Sequence, residues 1–212
     1  MSSEKINYQR MTDAVTESID KDNKPSLLLH ACCAPCSSYV LEYLSEYFNI
    51  TLYFYNPNID TDAEYRYRAD ELLRLVRDMG LSEKVSVKEG IYEPERFHAL
   101  AKGYETLSEG GARCERCFRL RLLEAAREAK EGGFDYFTTT LSISPHKNAA
   151  LLNSIGEELS REYGVPYLFS DFKKRNGYKR SCELSAEFSL YRQDYCGCVY
   201  SKKRAEIEKQ ND

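Results

Sequence analysis

Seven of the eight cysteines in this 212-residue chain fall into three short motifs. They are His30-Ala-Cys-Cys-Ala-Pro-Cys36, Cys114-Glu-Arg-Cys117 and Cys196-Gly-Cys198, each about eighty residues from the next. Thiolates are soft ligands that suit zinc and iron–sulfur chemistry. A 4Fe-4S cluster takes four of them, which leaves three, enough to hold a second metal. A structural zinc also takes four, so zinc is the competing reading of the same count. Cys114 and Cys117 lie three apart at a helix start and project from one face, where the helix N-terminus favours the anionic thiolate. Across Cys196-Gly-Cys198 an extended backbone puts both thiols on the same side, and Gly197 lets the chain run close to a metal. Cys32 and Cys33 are neighbours that point apart on a strand; an irregular loop would let them bind one ion, but they more naturally face two different centres. A thioredoxin-like reading of Cys114/Cys117 fails, because the other cysteines are too many and too distant. Cys182 stands alone and reads as a packing residue.

The rest of the chain must bring these motifs together. Its length suits one α/β domain with a real core. The organisation expected is a polar N-terminal extension over 1–24, a single domain over 25–204 and a polar tail over 205–212. The first residues lack the apolar segment of a signal peptide, and no apolar run approaches a membrane span. A cytoplasmic protein with reduced, metal-binding thiols is therefore expected, not a disulfide scaffold or a membrane protein. The net charge of −4 is unevenly spread: residues 172–204 carry nine Lys or Arg against three acids. A basic face on an acidic chain is what a phosphate-binding surface requires.

Ser26–His30 reads as a buried strand that ends at the first cysteine motif. Helix is expected from about Ser37 to Phe48, strand over Ile50–Tyr55 and a long helix over Asp62–Met79 with Gly80 as its cap. A short strand follows over Val85–Lys88, then a short helix and a glycine-bearing loop up to Gly111. Helix runs from near Cys114 to Lys130 with Phe118, Leu122 and Ala125 inward. Phe134–Leu141 reads as a fourth strand, Asn148–Tyr163 as a helix and Val165–Phe169 as a fifth strand. Beyond Ser170 the pattern is irregular and basic. Strands alternating with long helices imply a parallel sheet covered on both faces. Ligands bind beyond the carboxyl ends of such strands, where the first cysteine motif and Ser142–Lys147 both fall.

Folds of this order often carry a glycine-rich phosphate loop after strand one. Here that place holds Ala31–Ser38, which contains no glycine. Metal takes the place of nucleotide at this edge. Ser144 and Pro145 form a candidate helix start before His146, Lys147 and Asn148.

Five blocks together resemble the QueH-type epoxyqueuosine reductases: His30–Ser37, Arg113–Leu120, Thr138–Lys147, Asp171–Lys174 and Leu190–Cys198. The resemblance spans about residues 26–203. It implies a parallel-sheet, HUP/PP-loop-like Rossmannoid α/β domain with an irregular metal-binding C-terminal segment. It implies a cytosolic enzyme that reduces the epoxyqueuosine base at the tRNA wobble position to queuosine, with a 4Fe-4S cluster beside a mononuclear iron. Its partners would be tRNA and an electron donor such as a ferredoxin or flavodoxin, with neither ATP nor membrane. A carboxylate can stand at the Cys36 position in such sites, a departure in this sequence. The alternative with the same fold and substrate class is an iron–sulfur tRNA thiolation enzyme, which needs ATP.

The expected division puts Cys114 and Cys117 on the cluster with one cysteine of each other motif, Cys32 and Cys196. The lone iron then takes Cys33, Cys36 and Cys198. Spacing alone leaves the choice within each pair open. Candidate proton donors are His146, Asp171, Tyr191 and Tyr195. The segments Arg113–Arg121 and Lys173–Arg180 are the candidate tRNA phosphate surface, with Arg113, Arg116, Lys147, Lys173, Lys174, Lys179 and Arg180 as named contacts and exposed tyrosines available to stack on anticodon bases.

Overall fold

A computed structural model describes residues 6–210, and side chains through residue 206. Three consecutive leucines, Leu27, Leu28 and Leu29, make β1 (Ser26–His30) the fully buried centre of the sheet. Each such side chain contributes roughly 1.5–3 kcal/mol on leaving water. Alternation sends Leu27 and Leu29 to one face and Leu28 to the other. β2 (Asn49–Phe54) and β4 (Tyr136–Thr139) pair with β1 on either side, and β3 (Val85–Glu89) pairs with β2. The order is β3-β2-β1-β4, all parallel.

Two helices cover the Leu27/Leu29 face. α2 (Ala34–Leu44) brings Val40 and Leu41, and α3 (Asp62–Asp78) brings Leu72 and Leu75. The opposite face is covered by α5 (Ala112–Glu131), with Phe118 and Leu122, and by α6 (Ala149–Tyr163), with Leu152 and Ile155. The short α4 (Pro94–Ala101) packs beside α5. The strand order turns back between β1 and β4, so the crevice at their carboxyl ends is the binding position of such a sheet.

Several elements differ from the sequence reading. Helix α2 starts at Ala34 with Cys33 as its N-cap, which puts Cys36 inside its first turn. Strand β4 is shorter than expected and leads into a 3-10 turn over Thr140–Ile143. The expected fifth strand reduces to a single bridge between Phe137 and Tyr167. Side chains there take up backbone groups that a ladder would use: Ser160 accepts from the Tyr167 N–H, Thr138 donates to the Leu168 carbonyl, and Asn153 holds the Ser170 backbone. Ser144 and Pro145 do not start a helix. Asn148 caps α6, its side chain accepting from the Leu151 N–H.

The segment read as irregular holds two helices, α7 (Gly177–Glu187) and α8 (Val199–Gln210). α7 docks on α2 through a bidentate Arg180–Glu42 pair. Near the N-terminus, α1 (Tyr8–Ser18) also docks on the domain. Thr12 donates to the Phe169 carbonyl, and Asp13 accepts from Tyr43 and Arg175. No helix among the described residues is long and apolar enough to cross a membrane.

Gly177 marks the tightest of these contacts. A Cβ there would stand 2.0 Å from the Phe172 carbonyl oxygen and 2.4 Å from the Tyr39 ring. Gly177→Ala should therefore lift α7 from α2 and cost on the order of 1–3 kcal/mol. Denaturant unfolding measures this; an unchanged midpoint would contradict the packing.

Candidate functional site

A cavity of about 480 Å³ opens beyond the carboxyl ends of β1 and β4. Cys32, Cys33, Cys36 and Cys196 line it, with Arg68, Arg121, His146, Lys147, Tyr178 and Tyr195. The first motif sits at the crevice itself, where the Cys32 N–H donates to Thr140 Oγ1 across from β4 at 3.3 Å. Below it, His30 is wholly buried and ties the three central strands together. Its Nε2 faces the Tyr55 carbonyl at 3.1 Å and its Nδ1 faces Thr139 Oγ1 at 2.8 Å. The carbonyl can only accept, so Nε2 carries the proton and the threonine hydroxyl donates to Nδ1. Burial, with the Arg121 charge, lowers the His30 pKa to about 3. It is a neutral support beneath the cysteines.

The Sγ atoms of Cys32, Cys33 and Cys36 lie within 4.8 Å of one another, and Cys32 to Cys33 is 3.7 Å. Tetrahedral ligation at a metal–sulfur distance of about 2.3 Å sets sulfurs roughly 3.8 Å apart, so Cys32 and Cys33 do not point apart as expected but stand close enough to share one ion or to hold two adjacent centres. Cys32 is held well below the usual thiol range by hydrogen bonds from Cys33 and Cys36, with Arg121 and Lys147 adding their charge. The partner thiols move the other way: Cys33 is pushed up to about 11 and Cys36 is raised, each through its bond with Cys32.

The other two motifs meet nearby. Cys117 and Cys198 share a small buried cluster with Phe97 and Ala101, and Cys196 packs against it. Cys196 acts electrostatically on both Cys114 and Cys117. Its own thiol is held low by a hydrogen bond from Cys198, helped by Lys147 and Arg121. Burial pushes Cys117 up to about 12 and raises Cys114, whose sulfur accepts the Gly110 N–H at 3.3 Å. The Cys198 sulfur accepts the Ser201 N–H at 3.4 Å.

A clamp fixes the Cys196-Gly-Cys198 loop from the turn after β2. The Asp60 N–H donates to the Gly197 carbonyl at 3.0 Å. The Asp60 carboxylate accepts from the Tyr195 hydroxyl on one side of the motif and from Lys202 on the other. Gly197 has φ +118°, and a Cβ would meet Arg68 Nη1, Ile59 and Asn58 at 3.2–3.3 Å. Only glycine accommodates both conditions.

The remaining candidate residues fall into different surroundings. His146 and Tyr195 reach the cavity wall, whereas Asp171 pairs with Lys173 and Tyr191 donates to Glu64, neither lining the cavity. Lys147 lies among thiols, its charge acting on Cys196, Cys32 and Cys36. Arg113 is buried, and its Nη1 donates to the carbonyls of Tyr104, Glu105 and Leu107. Arg116 is exposed over the Tyr104 ring, and Lys174 and Lys179 are exposed on and before α7. Cys182 sits on α7 outside the cavity wall.

Sequence reasoning singled out neither Arg68 nor Asp60, read Asn56 only as a turn residue, and put Arg121 at the end of a phosphate-binding segment, whereas the side chain is buried. Arg121 lies one turn beyond Cys117, and Arg68 one turn before Leu72, each on the apolar stripe of its helix. An arginine on such a stripe is the signal that marks them.

Comparison with known proteins follows the same line. The family model described as Epoxyqueuosine reductase QueH matches residues 27–204. Proteins of that name in Staphylococcus epidermidis and Streptococcus pyogenes are 43% and 44% identical to this chain. The alignments cover 98% and 97% of it, and 90% and 82% of those proteins. A Thermotoga maritima relative of the same name is 36% identical over 87% of this chain and 96% of its own. Among solved structures, the U34-tRNA thiolase NcsA from Methanococcus maripaludis, with its 4Fe-4S cluster, superposes with a TM-score of 0.52. It covers 95% of this chain and 72% of the thiolase at 13% identity, a likeness of fold.

Gly197→Ala should break the clamp and scatter Cys196 and Cys198. Metal bound per chain after anaerobic reconstitution should fall by more than half while the circular dichroism of the sheet and helices persists. Wild-type metal content in this variant would show that the loop tolerates a side chain.

Proposed function

The chain belongs to the QueH family of epoxyqueuosine reductases, and from this we propose that it reduces epoxyqueuosine at the tRNA wobble position to queuosine in the cytoplasm. The observation that carries the reading is a cavity large enough for a modified base, lined by the first cysteine motif and Cys196, with Cys114 and Cys117 next to Cys196. The reaction removes the epoxide oxygen as water and leaves an alkene, so it consumes two electrons and two protons. A 4Fe-4S cluster would supply electrons, and an adjacent mononuclear iron would act as a second redox site and a Lewis acid toward the epoxide oxygen.

In this proposal Cys32, Cys114, Cys117 and Cys196 hold the cluster, and Cys33, Cys36 and Cys198 hold the lone iron. Arg121 supports that division, since its charge acts on Cys32, Cys117 and Cys196 together. So does the packing of Cys32 and Cys114 against the same core and of Cys36 against the other. His146 and Tyr195 border the cavity and are the proposed proton sources. Asp171 and Tyr191 would assist from behind the wall through Lys173 and Glu64. Tyr178, exposed at the cavity rim, would stack on an anticodon base.

Arg116, Lys147, Lys173, Lys174 and Lys179 would take tRNA phosphates. Arg113 and Arg180 would act through the loop and helix they fasten. The electron donor would be a ferredoxin or flavodoxin. The glycine-free Ala31–Ser38 segment supports a reaction without ATP, which separates this reading from a thiolation enzyme of the same fold.

The test supplies anaerobically purified protein with a reductant and an epoxyqueuosine-bearing anticodon stem-loop, without ATP. The expected product has lost one oxygen atom by mass spectrometry. Binding should weaken with salt at a logarithmic slope between about −2 and −4, as three to five contacts to a single strand give. Product that forms only with ATP, or carries sulfur, would favour thiolation. Salt-insensitive binding would remove the phosphate contacts.

A further inference from the structure

Arg121 is among the largest fully buried side chains of the molecule, yet no carboxylate among the described residues pairs with it. Among the described residues its oxygen partner is neutral, since Nη2 donates to Asn56 Oδ1 at 2.5 Å, and the side chain also reaches the Cys117 sulfur. Both ends of the Asn56 amide are engaged, because its Nδ2 donates to the Ala31 carbonyl at 2.9 Å, one residue before Cys32. That second bond fixes the amide orientation, so Asn56 presents its oxygen to the arginine and cannot turn. The Arg121 Nε is buried with no hydrogen-bond partner. The neighbouring buried arginine differs, since Arg68 donates from Nε to Glu64 at 2.7 Å and is thereby compensated.

A guanidinium held by a neutral amide keeps its full charge. In this site that charge faces Cys32 and Cys196, which line the same cavity as Arg121, and Cys117, one turn earlier on α5. We infer that Arg121, oriented by Asn56, is the fixed cation that raises the reduction potential of the thiol-bound iron–sulfur centre. Adding an electron makes a thiolate-ligated cluster more negative, and a fixed positive charge at low dielectric stabilises that state. Arg121 acts through the cluster ligands, so it is a positioning and tuning residue. The inference rests on the iron–sulfur reading above.

The experiment is a redox titration of anaerobically reconstituted protein with dithionite as reductant, followed by electron paramagnetic resonance. Arg121→Gln removes the charge, Arg121→Lys keeps it, and Asn56→Asp neutralises it in place. At the wild-type midpoint, Arg121→Gln and Asn56→Asp should each lower the reduced-to-oxidised ratio about tenfold, a shift of about 59 mV for a one-electron couple. Arg121→Lys should stay within threefold of wild type. A ratio within twofold of wild type in both charge-neutralising variants overturns the inference, as does a Lys variant that behaves like Gln. Should Arg121→Gln fail to hold a cluster, the Asp and Lys variants decide by the same ratios. A wild-type protein with no iron–sulfur signal overturns the cluster reading itself, and the inference with it.

Discussion

Arg121 is buried and Lys147 half-buried beside cysteine sulfurs, and neither forms an ion pair with a carboxylate among the described residues. Burying an unpaired ion costs several kcal/mol even after relaxation, so anionic partners must offset it. The candidates are the thiols. Three of them gather behind the first strand, and Cys196 comes within reach of the same two cations. The cations and the thiolates each make the other's burial tolerable. Metal binding to such a set would keep the thiolates charged and strengthen the compensation.

The rest of the fold can be read as the apparatus that holds this arrangement. The leucine run of β1 delivers Cys32 and Cys33 to the crevice where the strand order turns, and α2 begins at once so that Cys36 folds back beside them. The turn after β2 performs two tasks within five residues. Asn56 fastens Arg121 to the backbone before Cys32, and Asp60 clamps the Cys196-Gly-Cys198 loop. His30 crosses under the site without carrying charge, fixing β4 and β2 to the strand that bears the first motif. Motifs about eighty residues apart are thus joined through one short turn and one helix.

Much of this was legible in the sequence where signals were local. β1, α3 and α6 came close to their observed limits because leucine runs, helical periodicity and capping residues act within a few positions. The cysteine motifs were legible for the same reason. α7 was not, since its arginine is neutralised by Glu42 on α2, a partner no local window shows. The missing fifth strand depended on Asn153, Thr138 and Ser160, which satisfy its backbone from other elements. Within the site, Lys147 reads as a phosphate contact and also lines the cavity with Cys32, Cys36 and Cys196. Arg121 reads as part of a surface phosphate segment and Asn56 as a turn residue because their meaning lies in a contact across sixty-five positions.

The central claim is that the seven motif cysteines serve two metal centres at one cavity. Iron and acid-labile sulfide, counted per chain in anaerobically purified protein, test it most directly. The account predicts about five irons and four sulfides, one cluster and one further iron. A colourless protein carrying zinc would contradict it, and four irons with four sulfides would leave the second centre without support.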